Sequence, residues 1–146
     1  MVDVGAKAIT TREASAEGRI VMSQEALAAI WNGESPKGDA LATARIAGIQ
    51  AAKKTSDLIP LCHPLMLTSA KVEFVRDTDC IIARATIRVD AKTGVEMEAL
   101  AAVSMALLTL YDMAKALDKT MRLDGIHVTS KSGGSARPQV GNRTET

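Results

Sequence analysis

The period of the apolar positions changes several times along the chain, and each change marks an element. Arg19 to Met22, within GRIVM, can form a short strand. Ser23 then precedes QEALAAIWNG, a row of good helix formers stopped by Gly33, which predicts a helix capped by Ser23. SPKGD, residues 35–39, reads as a turn, and Asp39 is placed to cap a second helix, ALATARIAGIQAAKK. Small residues stand at most turns of that helix, among them Ala44, Gly48 and Ala51, so a neighbouring element can approach closely. From Thr68 to Phe74 the pattern alternates, with Val72 and Phe74 set against Lys71 and Glu73. VRDTD turns the chain, and Cys80 to Val89 returns as a second alternating strand, completing a hairpin. Asp90 to Gly94 leads into a long helix, Val95 to Leu117, and a final strand is expected from Met121 to Thr129.

The order is strand, two helices, two strands, helix, strand. Two β-α-β halves with helices on one sheet face make a ferredoxin-like α+β sandwich the expected fold. One ferredoxin-like domain is expected over residues 1–131, followed by a flexible polar tail over 132–146.

Composition narrows the function classes. In 146 residues, 47% are hydrophobic but only Trp31, Phe74 and Tyr111 are aromatic, so the core must be aliphatic. A formal net charge of +1 lacks the basic excess of a nucleic-acid binder, and the missing aromatics remove a base-stacking platform. Neither nucleic acid nor a membrane is an expected partner: MVDVGAKAITTREA lacks the apolar run of a signal peptide, and the nearly apolar run from Ala99 to Leu110 is too short to span a bilayer. A cytoplasmic location is expected.

The long helix carries the most information. Its middle is apolar nearly all the way round, more than one sheet face requires, so the reading expects another subunit to cover its second side. Polar groups gather at the ends: Glu96 and Glu98 in the first turn, where the macrodipole favours carboxylates, and Asp112 with Lys115 near the other end, spaced for an i,i+3 ion pair. The 16 residues from Glu96 to Asp112 span roughly 24 Å along the axis, and the two side chains point about 160° apart. If both serve one small substrate, two chains must build the site.

KKTSDLIPLCHPL places His63 and Cys62 between two prolines. Pro60 and Pro64 stiffen the segment, so His63 loses little freedom on meeting a ligand. A locally satisfied turn histidine and an acid-base or phosphate-contacting one both fit. Metal ligation is disfavoured, because two Cys and two His at unhelpful spacings do not make a ligand set. Lys37, Lys53, Lys54, Lys115 and Lys131 are the notable cations, and KSGG is not a P-loop, since the Walker order puts its glycines before the lysine. Together these groups suit an anionic substrate processed by proton transfers. A non-catalytic ferredoxin-like module binding a nucleotide or a partner protein is the alternative.

KGDALATARIAGIQAAKKTSDLIPLCHPL, GVEMEALAAVSMALLTLYDMAKALDK and KSGG, in this order and spacing, resemble the MoaC family of molybdenum cofactor biosynthesis proteins. The likeness runs from MVDVGAKAITTREA to KSGG. It implies a ferredoxin-like subunit in a homo-hexamer, a trimer of dimers with sites at subunit interfaces. It further implies a lyase that rearranges 3′,8-cyclo-7,8-dihydro-GTP to cyclic pyranopterin monophosphate, releasing diphosphate, with no metal or organic cofactor.

Position by position, the resemblance implies catalytic roles for Asp112 and Lys115 in YDMAK, Lys37 in KGD and Lys131 in KSGG. It implies substrate binding by Leu61, Cys62 and His63, by Met97 and Glu98 with the adjacent Glu96, by Lys53, and by Lys7 and Arg12 near the N-terminus. Cys62 is expected to matter through its backbone more than its thiol. Two departures stand out: relatives usually carry a short segment before MVDV, and Ser135 stands where the tail commonly has another lysine.

Overall fold

A computed structural model describes residues 1–134; Ser135 and the rest of the expected tail lie outside the described residues. Eight elements follow in the order β1 (Thr10–Val21), α1 (Gln24–Trp31), α2 (Ala40–Lys53), α3 (Thr55–Leu58), β2 (Leu67–Arg76), β3 (Cys80–Ala91), α4 (Glu96–Ala114) and β4 (Arg122–Ser132). The four strands form one antiparallel sheet in the order β2-β3-β1-β4, with the helices on one face. This is the ferredoxin-like α+β arrangement that the element order predicts.

The cap signals act as expected. Ser23 accepts from the Ala26 N–H at the start of α1, and Asp39 accepts from the Ala42 N–H at the start of α2, each satisfying a donor that the helix cannot. The hairpin forms across VRDTD, with the Asp77 N–H bonded to the Cys80 carbonyl.

Two expectations change. The first strand is twelve residues long and begins at Thr10, nine residues before the expected start. Its inward positions are Ala14, Ala16, Gly18 and Ile20, opposite Ile87, Ala85 and their neighbours on β3. The alternation is present, but Ala and Gly carry it, and neither favours strands on its own. Likewise β4 runs on to Ser132, three residues beyond the expected end, because its later residues pair with Glu13 to Ala16 of β1.

The second change concerns α4. Its sheet-facing side rests on β1, β3 and β4, and α2 of the same chain packs along its flank, while Leu108 stays exposed. Gly48 makes this possible: a Cβ there would lie 2.9 Å from the Ala102 carbonyl oxygen and 3.2 Å from Val72 Cγ2. By length and composition α4 resembles a membrane-spanning helix, yet half of it is buried in this protein core. The core itself is dominated by alanine, with Ile20, Leu27, Ile30, Ile81, Ile87, Leu107 and Leu110 as its largest fully buried side chains. The opposite sheet face is paved with ion pairs, Arg88–Glu13 at 2.7 Å and Arg84–Glu17 at 2.8 Å.

Candidate active site

The candidate residues gather at the two ends of α4. At the C-terminal end, Asp112 Oδ2 accepts from Lys37 Nζ at 3.1 Å, and Oδ1 accepts from Lys115 Nζ at 2.9 Å. Lys37 arrives on the turn between α1 and α2, while Lys115 stands one helical turn beyond Asp112. The two ammonium groups, Lys115 first and Lys37 second, hold the Asp112 carboxyl below the usual carboxylate range. Tyr111 and Lys119 line the same groove of about 540 Å³ beside them. Three lysines against one aspartate leave the groove with a net charge of +2, which favours an anionic ligand.

At the N-terminal end, the two acidic residues of the first turn have different surroundings. Glu96 is partly exposed and its Oε1 meets Lys131 Nζ at 3.4 Å. Glu98 is only 2% exposed, so it is not simply a solvated carboxylate complementing the helix dipole. Burial pushes its pKa up, and the charge of Glu96 adds to the effect. Oε1 of Glu98 has no hydrogen-bond partner among the described residues, a state that costs about 1–3 kcal/mol for a buried polar group.

The proline loop packs against this end. Cys62 Sγ lies 3.9 Å from Glu98 Oε2 as a weak donor, so the thiol, and not the backbone alone, faces the carboxyl. Burial is the main reason the Cys62 thiol is pushed up, with Glu98 second, so the sulfur stays protonated and able to donate. His63 Nε2 sits 2.7 Å from the Val2 carbonyl oxygen and donates to it. The turn histidine is therefore satisfied by the N-terminal segment, 61 residues away in sequence. Leu61 is exposed and Met97 points outward from α4.

The basic N-terminal residues take up different positions. Arg12 donates from Nε to the Ala91 carbonyl and from Nη2 to the Lys92 carbonyl, which fixes the guanidinium at the end of β3. With Lys7, Thr10 and Gly134 it lines a smaller groove of about 250 Å³. Gly133, at φ 90°, passes so close to the Thr11 carbonyl that no side chain fits, and the Gly134 N–H reaches Thr10 Oγ1 at 3.1 Å. Lys53 ends α2 as an exposed residue.

The whole described chain, residues 1–134, matches the family model described as "MoaC family". The chain belongs to the MoaC family. Among curated relatives, the cyclic pyranopterin monophosphate synthase of Chloroflexus aurantiacus is 58% identical over 136 residues, covering 92% of this chain and 83% of the relative. Those of Roseiflexus castenholzii and Novosphingobium aromaticivorans are 57% and 58% identical, covering 86% and 87% of the relatives.

Within this MoaC family subunit, then, Lys37, Asp112 and Lys115 form one cluster, and Cys62, Glu96, Glu98 and Lys131 gather about the opposite end of the same helix. Two residues outside the candidate set join the first cluster. Tyr111 precedes Asp112 in the chain and Lys119 lies beyond the end of α4, and closeness in sequence is the one signal of them.

Proposed function

We propose that this chain is a lyase of molybdenum cofactor biosynthesis. It converts the cyclised dihydro-GTP, 3′,8-cyclo-7,8-dihydro-GTP, to cyclic pyranopterin monophosphate with release of diphosphate. The observation that carries the reading is the lysine-bracketed Asp112 in a cationic groove of a MoaC family subunit. Substrate triphosphate supplies the anion such a groove favours, and the leaving diphosphate develops charge that Lys37, His63 and Lys131 are suited to offset.

Asp112 stays ionised between its lysines and is available as a base, while Lys115 can return a proton one turn away. Glu96 accepts from N–H donors of the guanine-derived ring. Burial lets Glu98 keep its proton to higher pH than an ordinary carboxyl, so it can donate to a ring carbonyl as well as accept. Since the two clusters stand about a helix length apart, roughly 24 Å, the reading joins the Asp112 end of one subunit to the Glu98 end of another. A homo-hexamer built as a trimer of dimers, working in the cytoplasm, belongs to the same proposal.

The test is a turnover assay on the cyclised dihydro-GTP, following both diphosphate and the pterin product. Native protein should release both, and Asp112→Asn should remain folded while turnover falls by about a hundredfold or more. Binding of purine triphosphates without product would favour the non-catalytic alternative instead.

A further inference from the structure

We propose that Ser35 is a positioning residue for this site: its buried hydroxyl ties the turn that carries Lys37 to the last turn of α4, beside Asp112. Ser35 Oγ donates to the Met113 carbonyl oxygen at 2.9 Å, across 78 residues of sequence, and Ser35 is 8% exposed. Met113 has a carbonyl that the helix leaves unfilled. The N–H of Leu117, which would ordinarily reach it, bonds to Ala114 instead at 2.8 Å. Ser35 takes that place.

The rest of the turn is equally constrained. The Gly38 N–H closes it onto the Ser35 carbonyl at 3.0 Å, and Gly38 adopts φ 107°, open to glycine and strained for other residues. Asp39 then caps α2. Lys37 therefore stands two residues after a point fixed to α4 and two before a point fixed to α2. The Lys37–Asp112 pair itself is about half exposed on both sides, and such a pair is bound too weakly to hold its own loop. The geometry comes from the buried serine.

The kinetic side rests on the activity proposed above, whereas the geometric side does not, so the experiment reads both. In the full-length protein, the Asp112 carboxyl is titrated by carbon NMR in native protein, Ser35→Ala, Lys37→Ala and the double variant. Ser35→Ala should move the Asp112 titration up toward an ordinary carboxylate, as Lys37→Ala does, and should add nothing in the Lys37→Ala background. Ser35→Thr, which keeps the hydroxyl, should return it toward the native value. Turnover per KM should fall about tenfold to a hundredfold in Ser35→Ala, again without adding to Lys37→Ala.

A merely structural serine would shift the melting temperature but leave the Asp112 titration native, and that result overturns the proposal. So does a turnover loss that adds in full to that of Lys37→Ala. Should Ser35→Ala fail to fold, Ser35→Cys fills the same space with a poor donor and is held to the same readings. If native protein shows no turnover, the activity proposal fails while the titration still decides the role of Ser35.

Discussion

Burial separates two glutamates that the helix dipole alone would treat alike. Glu96 and Glu98 both sit in the first turn of α4, but Glu98 falls on the apolar stripe that continues through Ala102 and Ala106. The sequence, apolar nearly all the way round this helix, did not separate the two carboxyls; packing of the Glu98 face does. The consequence is a pH effect of unusual sign. A carboxyl whose folded pKa is raised binds more protons folded than unfolded, so stability falls as pH rises from the unfolded toward the folded value. Above the folded value the loss is complete, and below the unfolded value it is absent. Glu98→Gln should therefore melt higher than native protein at pH 8, with the advantage disappearing near pH 4. Melting curves across that range check it. A difference independent of pH, or one favouring native protein at pH 8, would show that a cation faces Glu98 in the assembled protein. The lysine contacts of Asp112 were less legible: i,i+3 spacing gives Lys115, but nothing local reveals Lys37, because a tertiary hydrogen bond from Ser35 brings it there.

Among the elements, what the sequence discloses depends on how much side chain each position carries. The β2–β3 hairpin and α4 are written in Ile, Val, Leu and Phe, whose periodicity is strong. Much of β1 is written in Thr, Ala, Ser and Gly, and pairing with β3 and β4 makes it a strand despite weak local preference. The small-residue face of α2 was also visible, but not its partner. A helix apolar on every side asks for cover beyond the sheet, and α2 of the same chain supplies part of it. The seam tolerates little extra volume. Gly48→Val would push branched methyls toward the Ala102 carbonyl, Val72 and Ala106, within a backbone gap already too short for one Cβ without some shift. Overpacking of this kind costs about 1–3 kcal/mol, while the gain in helix propensity over glycine is under about 1 kcal/mol. Thermal or urea unfolding should find Gly48→Val destabilised by about 1–2 kcal/mol, with Gly48→Ala closer to native. A stabilised Gly48→Val protein would mean that the two helices are free to move apart.

At the scale of the whole molecule, the fold sets a geometric problem that one subunit does not solve. The rigid rod of α4 holds the Asp112 cluster at one end and the Glu98 cluster at the other, and its 19 residues extend about 28 Å. A cyclised nucleoside triphosphate is shorter than that, so a site using both ends must borrow one of them. The exposed Leu61 and Met97, and Glu98 with its unpartnered oxygen, lie about the N-terminal end of α4, where an approaching subunit would supply cover and hydrogen bonds. Subunit mixing tests this directly. Glu98→Ala and Asp112→Asn proteins, each inactive alone, are combined under conditions that allow exchange, with exchange itself followed by mass spectrometry. In a shared site, mixed assemblies contain some interfaces with both residues native, and turnover should return to a fraction of the native rate set by the number of such interfaces. Confirmed exchange with no recovered turnover would place Glu98 and Asp112 on the same side of each interface. The roles proposed for the two ends of α4 would then have to be met by separate binding events.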